Sequence, residues 1–245
     1  MNYAASISDF FKSPHWAMNM VFGGLCMLIP IIGPIVLLGW LVTGFWGRQD
    51  QSYETFPAFD FSHFGKYLER GLWPFLVSLV AGMAISLIMM PFIWMLIIPT
   101  IFVSGVSSQQ HSNVGGCFAG FAILLLFMLM AVMLVIMLFA VVPLKIRAAM
   151  TQDFAESFNL HFIKRFISLT WLEMLLSSLF IVVISPFLMC LGTIVLCVGV
   201  YFATVLIYFS WTHLYKQLYA LYLSRGGEPV PVSPKLSAPL ATGTG

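Results

Sequence analysis

The chain has 245 residues, of which 60% are hydrophobic and only 8% charged, with a formal net charge of +2 and a mean hydropathy of +0.98. A soluble domain carries about 25% charged residues, so this chain lacks the polar groups to cover its own surface, and lipid is the solvent for much of it. The small net charge excludes nucleic acid as a partner, and the charges lie in short clusters at the ends of apolar runs, as membrane-edge charges do.

The opening stretch MNYAASISDFFKSPHW contains an acid and lacks the basic start and small-residue cleavage site of a secretory signal, so it reads as retained. Ser8, Asp9, Phe10, Phe11 and Lys12 predict a short helix on the membrane surface, ended by Ser13-Pro14. From Ala17 to Phe45 come 29 residues without a charge, where a spanning helix needs about 20. Pro30, Gly33 and Pro34 interrupt that run near its middle. In lipid they leave backbone groups unpaired unless the chain turns there or is covered by protein. The reading is a re-entrant hairpin over residues 17–46, turning at Pro30, Gly33 and Pro34; the alternative is one kinked, tilted span.

Residues 48–70 interleave Arg48, Asp50, Glu54, Asp60, Lys66, Glu69 and Arg70 with Phe56, Phe59, Phe61 and Phe64. Such a segment belongs on the membrane surface with its aromatics dipped in. Uncharged spans follow at 72–103 and 117–142, joined by a polar loop and stopped by Pro143, Lys145 and Arg147. In residues 150–169, Phe154, Phe158, Phe162 and Phe166 recur every fourth position, which predicts one amphipathic helix with its rings on a single face. Spans at 170–190 and 193–214 are joined by a tight turn at Leu191-Gly192. Residues 1–225 then form a single membrane domain, and the Pro-rich tail 226–245 is predicted to be disordered.

In this topology all Lys, Arg, Asp and Glu fall on one side, apart from Glu173, which enters its run by a few residues. The positive-inside rule makes that side cytoplasmic and puts both termini there. A single kinked span at Ala17–Phe45 would carry Asp9 and Lys12 to the other face, so the charge distribution favours the hairpin. There is also an internal echo. His63-Phe64-Gly65-Lys66 and His161-Phe162-Ile163-Lys164 stand 98 residues apart, and Trp73 and Trp171 each follow their histidine by ten. The pattern is that of two helix pairs of parallel topology, consistent with duplication.

SPHW, GGLCMLIPIIGPIVLLGW and FPAFDFSHFGKYLERGL closely resemble a bacterial family of multi-pass membrane proteins known only as domain of unknown function four-thousand-and-thirteen. The likeness covers residues 10–105 well and the remainder only as further apolar spans. Ser13, Pro14, Trp16, Gly23, Gly24, Pro30, Gly33 and Gly71 stand at the family's motif positions. The resemblance implies a membrane fold in the bacterial inner membrane and brings no activity. Its motif residues are structural in character: small residues for close helix approach and prolines for a turn.

Few residues are candidates for chemistry. Glu173 is the one acid inside an apolar run, which makes it a proton-relay or cation-site candidate; its position near Trp171 equally allows snorkelling or pairing with Arg165 or Lys164. His15, His63, His161 and His213 share the cytoplasmic edge but no pair on one helix has ligand spacing. Met130, Met133 and Met137, with Met83, Met89, Met90 and Met95, offer thioethers for copper or simple filling between helices. Cys26, Cys117, Cys190 and Cys197 have no metal-ligand spacing and read as packing residues, with a Cys117–Cys190 bridge open to an oxidising face. No cofactor is implied. Tyr201, Tyr208, Tyr215 and Tyr222 repeat every seven residues, and hydroxyls in lipid require a protein partner, either another helix or a second subunit.

No nucleophile elbow, phosphate loop, zinc pattern or paired carboxylate occurs in the sequence, so an enzyme is not expected. The fold class is all-α: a polytopic membrane bundle with an N-terminal re-entrant hairpin and interfacial amphipathic helices. Its partners are the lipid bilayer and other membrane subunits or further copies of itself. Three roles fit: an accessory or scaffolding subunit of a membrane assembly, a small transporter or channel for a lipid or apolar solute, and a membrane-shaping protein.

Overall fold

A computed structural model describes residues 1–48, 50, 52–110, 113–194 and 198–237, and all regular structure among them is helical. The elements are α1 (Ala5–Ser8), a 3-10 turn (Asp9–Lys12), α2 (Trp16–Cys26), α3 (Ile32–Trp46), α4 (Phe64–Gln110), α5 (Asn113–Thr151), α6 (Phe154–Ser157), α7 (Leu160–Ile194), α8 (Gly199–Ser224) and α9 (Pro234–Ser237). Three stretches are long and apolar enough to cross a membrane: Phe61–Pro99, Ile123–Thr151 and Phe154–Ile194. The chain divides into two compact units, Met1–Ser78 with Val142–Gly245, and Leu79–Val141.

In the first unit, α2 and α3 fold back on each other. The reversal falls at Met27–Ile31, slightly earlier than the sequence places it. Pro30 lies in the turn, while Gly33 and Pro34 sit in the first turn of α3, where a proline costs no helical hydrogen bond. Ile31 adopts φ 66° and ψ −54°, and Ile32 N–H donates to Pro30 O at 2.7 Å. This is a γ-turn of the rare positive-φ kind, strained for a β-branched residue.

The hairpin closes on the loop that follows it. Asn19 Oδ1 accepts from Phe59 N–H at 2.7 Å, and Trp40 Nε1–H donates to Pro57 O at 3.1 Å. These bonds draw Phe56 and Phe59 into a core with Phe10, Trp40, Phe45, Tyr67, Val205 and Phe209. The surface-dipping role expected for Phe56 and Phe59 is therefore corrected: Phe59 is 1% exposed and packed inside protein, whereas Phe61 remains exposed. Deeper along α3, a Cβ on Gly39 would fall 1.7 Å from Tyr67 O, and one on Gly71 would fall 1.8 Å from Ile35 O. Helices α3 and α4 thus touch backbone to backbone, as small residues allow.

Four further expectations are revised. Residues 150–169 do not form one helix. Gln152 (φ 54°) ends α5 in a left-handed conformation; Asp153 Oδ1 then accepts from Glu156 N–H to start α6, and Asn159 Oδ1 accepts from Phe162 N–H to start α7. Phe162 and Phe166 are buried against Tyr222, while Phe154 pairs with Phe158. Leu191-Gly192 is helical rather than a turn. The small Gly192 instead lets α8 approach, with a Cβ there 2.7 Å from the Gly199 carbonyl carbon. Helix α5 likewise runs through Pro143 instead of stopping there, as membrane helices tolerate.

Disorder beyond Arg225 is the last of the revised expectations. Gly226–Leu236 lies packed on the first unit, with Leu236 1% exposed; residues 238–245 lie outside the described ones. The second unit is different in kind. It contains no Lys, Arg, Asp or Glu, and it turns Leu87, Ile88, Met95, Phe121, Phe127 and Met128 outward.

Candidate functional site

Two clusters of buried polar groups lie in the first unit, the first of them between the N-terminal segment and α8. Asp9, from the 3-10 turn, and His213, from α8, are both buried and meet at 3.0 Å between Oδ2 and Nε2. Lys12 Nζ lies 2.7 Å from the other Asp9 oxygen. On the far side of the ring, His213 Nδ1 meets Gln217 Nε2 at 2.9 Å. The orientation of that amide is set by Asn2, whose N–H donates to Gln217 Oε1 at 2.7 Å and whose carbonyl accepts from Gln217 Nε2 at 2.9 Å. Gln217 therefore donates to Nδ1, and Nε2 carries the proton given to Asp9.

Tyr53 stacks on the imidazole at 5.1 Å, and Phe45 and Phe209 complete the enclosure. Burial pushes the Tyr53 phenol up to about 12, the Asp9 charge adds to the rise and Arg48 opposes it, so Tyr53 stays a neutral ring. In a hydrolytic triad the ring nitrogen opposite the carboxylate faces a nucleophile. Here it faces an amide that is itself tied to Asn2. The arrangement locks the N-terminal segment to α8, and Ser210 Oγ–H donating to Ser6 O at 3.1 Å adds to the lock.

Glu173 takes a partner other than those expected. Its carboxylate is held by Arg225, from Nη2 at 2.5 Å and Nη1 at 3.0 Å, while Arg165 pairs with Glu228 at 3.0 Å. The tyrosine stripe divides along α8. Tyr201 is exposed, Tyr208 packs against the aromatic core, and Tyr222 is buried with its hydroxyl accepting from Glu228 N–H at 3.0 Å. Tyr215 rests beside Trp211. Among the described residues, no group of three or more His, Cys, Asp or Glu is placed to share a metal ion. Cys26 is buried and free, Cys190 exposed and free; Cys117 and Cys197 lie outside the described side chains.

A second polar centre lies beneath the segment after α8. Arg70, 5% exposed, donates to Thr43 Oγ1 at 3.1 Å and to Lys235 O at 2.7 Å, and its carbonyl accepts from Gln152 Nε2 at 3.2 Å. Neither centre was apparent in the sequence, because Asp9 and His213 are 204 positions apart and Arg70 and Lys235 are 165 apart.

The hairpin, the Gly39–Gly71 contact and the helices around them are the parts a family of membrane bundles would share. The sequence profile of a family described as protein of unknown function, DUF4013, matches residues 22–212. The chain belongs to this family. The DUF4013 match takes in the hairpin turn, both partners of the Gly39–Gly71 contact and most of α8, while Asp9, His213 and the segment after α8 fall outside it. No curated protein and no solved structure matches the chain.

Proposed function

We propose that this DUF4013 protein is a non-enzymatic, multi-pass component of the bacterial inner membrane, with both termini cytoplasmic, serving as an accessory or scaffolding subunit of a membrane assembly. One observation carries the reading: the two buried polar networks of the first unit, Asp9–His213–Gln217 and Arg70–Thr43, are bonded within their own chain, while the second unit offers an uncharged outward surface of large apolar residues. Networks closed within one chain in this way fix shape, and such a surface meets lipid or the helices of another protein.

Two experiments test the reading. A photo-crosslinking residue at Leu87 or Met95, activated in native membranes, should give a discrete protein adduct of fixed mass; labelling of lipid alone would refute the subunit role. For orientation, single cysteines replace Phe11, which is exposed, and Ser107. Ser107 should react with an impermeant thiol reagent in intact cells and Phe11 only after lysis. Labelling of both in intact cells would overturn the hairpin and the one-sided charge distribution.

Membrane shaping is supported by a separate observation. At 1.5 Å per residue, α2 and α3 have 11 and 15 residues, lengths of roughly 16 and 22 Å against a hydrocarbon core of about 30 Å. Their tip exposes Leu28, Ile29, Ile31 and Ile32, so the hairpin suits insertion into one leaflet. Purified protein that leaves vesicles spherical at high density would refute this role.

A further inference from the structure

Past α8 the chain pivots at Gly226, whose φ is +83° and around which a Cβ would meet nothing within 4 Å. The following segment, Glu228–Leu236, contains Pro229, Pro231 and Pro234, which fix their own φ and bias the residues before them to an extended backbone. It arrives pre-stiffened and is read by its main chain. Tyr222 and Tyr219 hydroxyls accept the N–H groups of Glu228 and Val230 at 3.0 and 2.8 Å. Met150 O accepts Ser233 N–H at 2.8 Å, and Arg70 donates to Lys235 O at 2.7 Å.

Two aliphatic anchors supply selectivity. Val230 is buried, and Leu236 packs against Val42 and Ala149 beside Leu38 and Trp46. At the ends, Glu228 pairs with Arg165 and Lys235 with Glu69, both at about 3 Å. Main-chain recognition of a proline-stiffened segment, irregular to Ser233 and then turning into α9, with spaced side-chain anchors, is the logic of a peptide-binding groove. The receptor is distributed over α3, α4, α5, α7 and α8, and its ligand hangs from a single glycine pivot.

We propose that this groove is a peptide-binding site and that it takes the Glu228–Leu236 segment of a second copy in exchange for its own, joining neighbouring subunits. Such an exchange repeats every contact without needing a new surface, the economy behind segment swapping. The inference deepens the subunit role of the proposed function, naming a second copy of the chain as the partner, and rests on it.

The test is disulfide trapping in native membranes with full-length chains whose four native cysteines are replaced by alanine. One chain carrying both Val42→Cys and Leu236→Cys should link internally. When two differently tagged copies are co-expressed, one with Val42→Cys and the other with Leu236→Cys, a mixed dimer should form, and it should disappear when the second copy keeps Leu236. A synthetic peptide of residues 228–237 in excess should abolish the mixed dimer. Absence of the internal link overturns the groove itself. An internal link without a mixed dimer, or a mixed dimer that the peptide leaves intact, overturns exchange. If the tagged copies still co-purify in that case, the self-association reading survives without it.

Discussion

The two units of this chain solve opposite problems. Met1–Ser78 with Val142–Gly245 holds every charged side chain and surrounds a nucleus of aromatic rings with hydrogen-bonded polar groups. Leu79–Val141 holds no charge and directs its bulk outward, with Met95 75% exposed. The first is put together as a soluble domain is, by burying apolar surface and pairing buried polar groups such as Asp9 with His213 and Arg70 with Thr43. The second is at ease only where the surroundings are as apolar as it is. The difference teaches that one sequence can carry two folding logics, with specificity concentrated in the unit that has polar groups to place.

Substitutions matched across the units sharpen this contrast. The largest effect is expected from Gly39→Leu, which drives a side chain into the Tyr67 carbonyl and should prevent folded protein from accumulating. The same change at Gly120, where a Cβ would meet nothing within 4 Å, should stay within roughly 0.5 kcal/mol of the parent. Western blotting and thermal unfolding in detergent read both. Next, Leu87→Arg on the second unit should cost about 3 kcal/mol of membrane insertion, read by the fraction integrated; full integration would mean that this face does not meet hydrocarbon.

Asp9→Ala should follow at about 2 kcal/mol, because it strands a buried imidazole N–H. Adding His213→Leu to it should cost less than the two single changes summed, the signature of coupled groups; strict additivity in thermal unfolding would dissolve the pair. The smallest change is a gain. Ile31→Gly should raise stability by about 1 kcal/mol, since glycine occupies positive φ without the steric cost that isoleucine meets; an unchanged or lower unfolding temperature would count against the strained turn.

Local features were the legible ones. Pro30, Gly33 and Pro34 in an overlong apolar run announce a reversal whichever way the residues around them pack, and the long uncharged runs announce membrane helices. Asp153 followed by Glu156, and Asn159 ahead of Leu160, were cap signals visible in the sequence that the phenylalanine periodicity obscured. Arg165 lies eight residues from Glu173 on one helix, about 12 Å along the axis, so helical geometry argues against that pairing; Arg225 reaches Glu173 because α8 returns alongside α7. Phe56 and Phe59 read as interfacial because acidic and aromatic residues alternate in the same way on a membrane surface and in a clamped loop. What separates the two is Asn19, forty positions from Phe59. The segment after α8 misled through composition: its prolines lower the entropy lost on ordering, and Val230 and Leu236 supply the anchors that a disordered tail lacks.

The Asn2–Gln217, Ser6–Ser210 and Phe10–Phe209 contacts join residues on either side of the whole membrane region, 204 positions apart for Ser6 and Ser210. At about 5–20 residues per second, the start of the chain therefore waits on the order of 10 to 40 s for α8. Leu79–Val141 emerges within that interval, and until its end the apolar hairpin has no α8 to cover it. The order of synthesis thus obliges the cell to shelter α2 and α3, in lipid or against an insertion factor, before the polar networks that define the finished molecule can close.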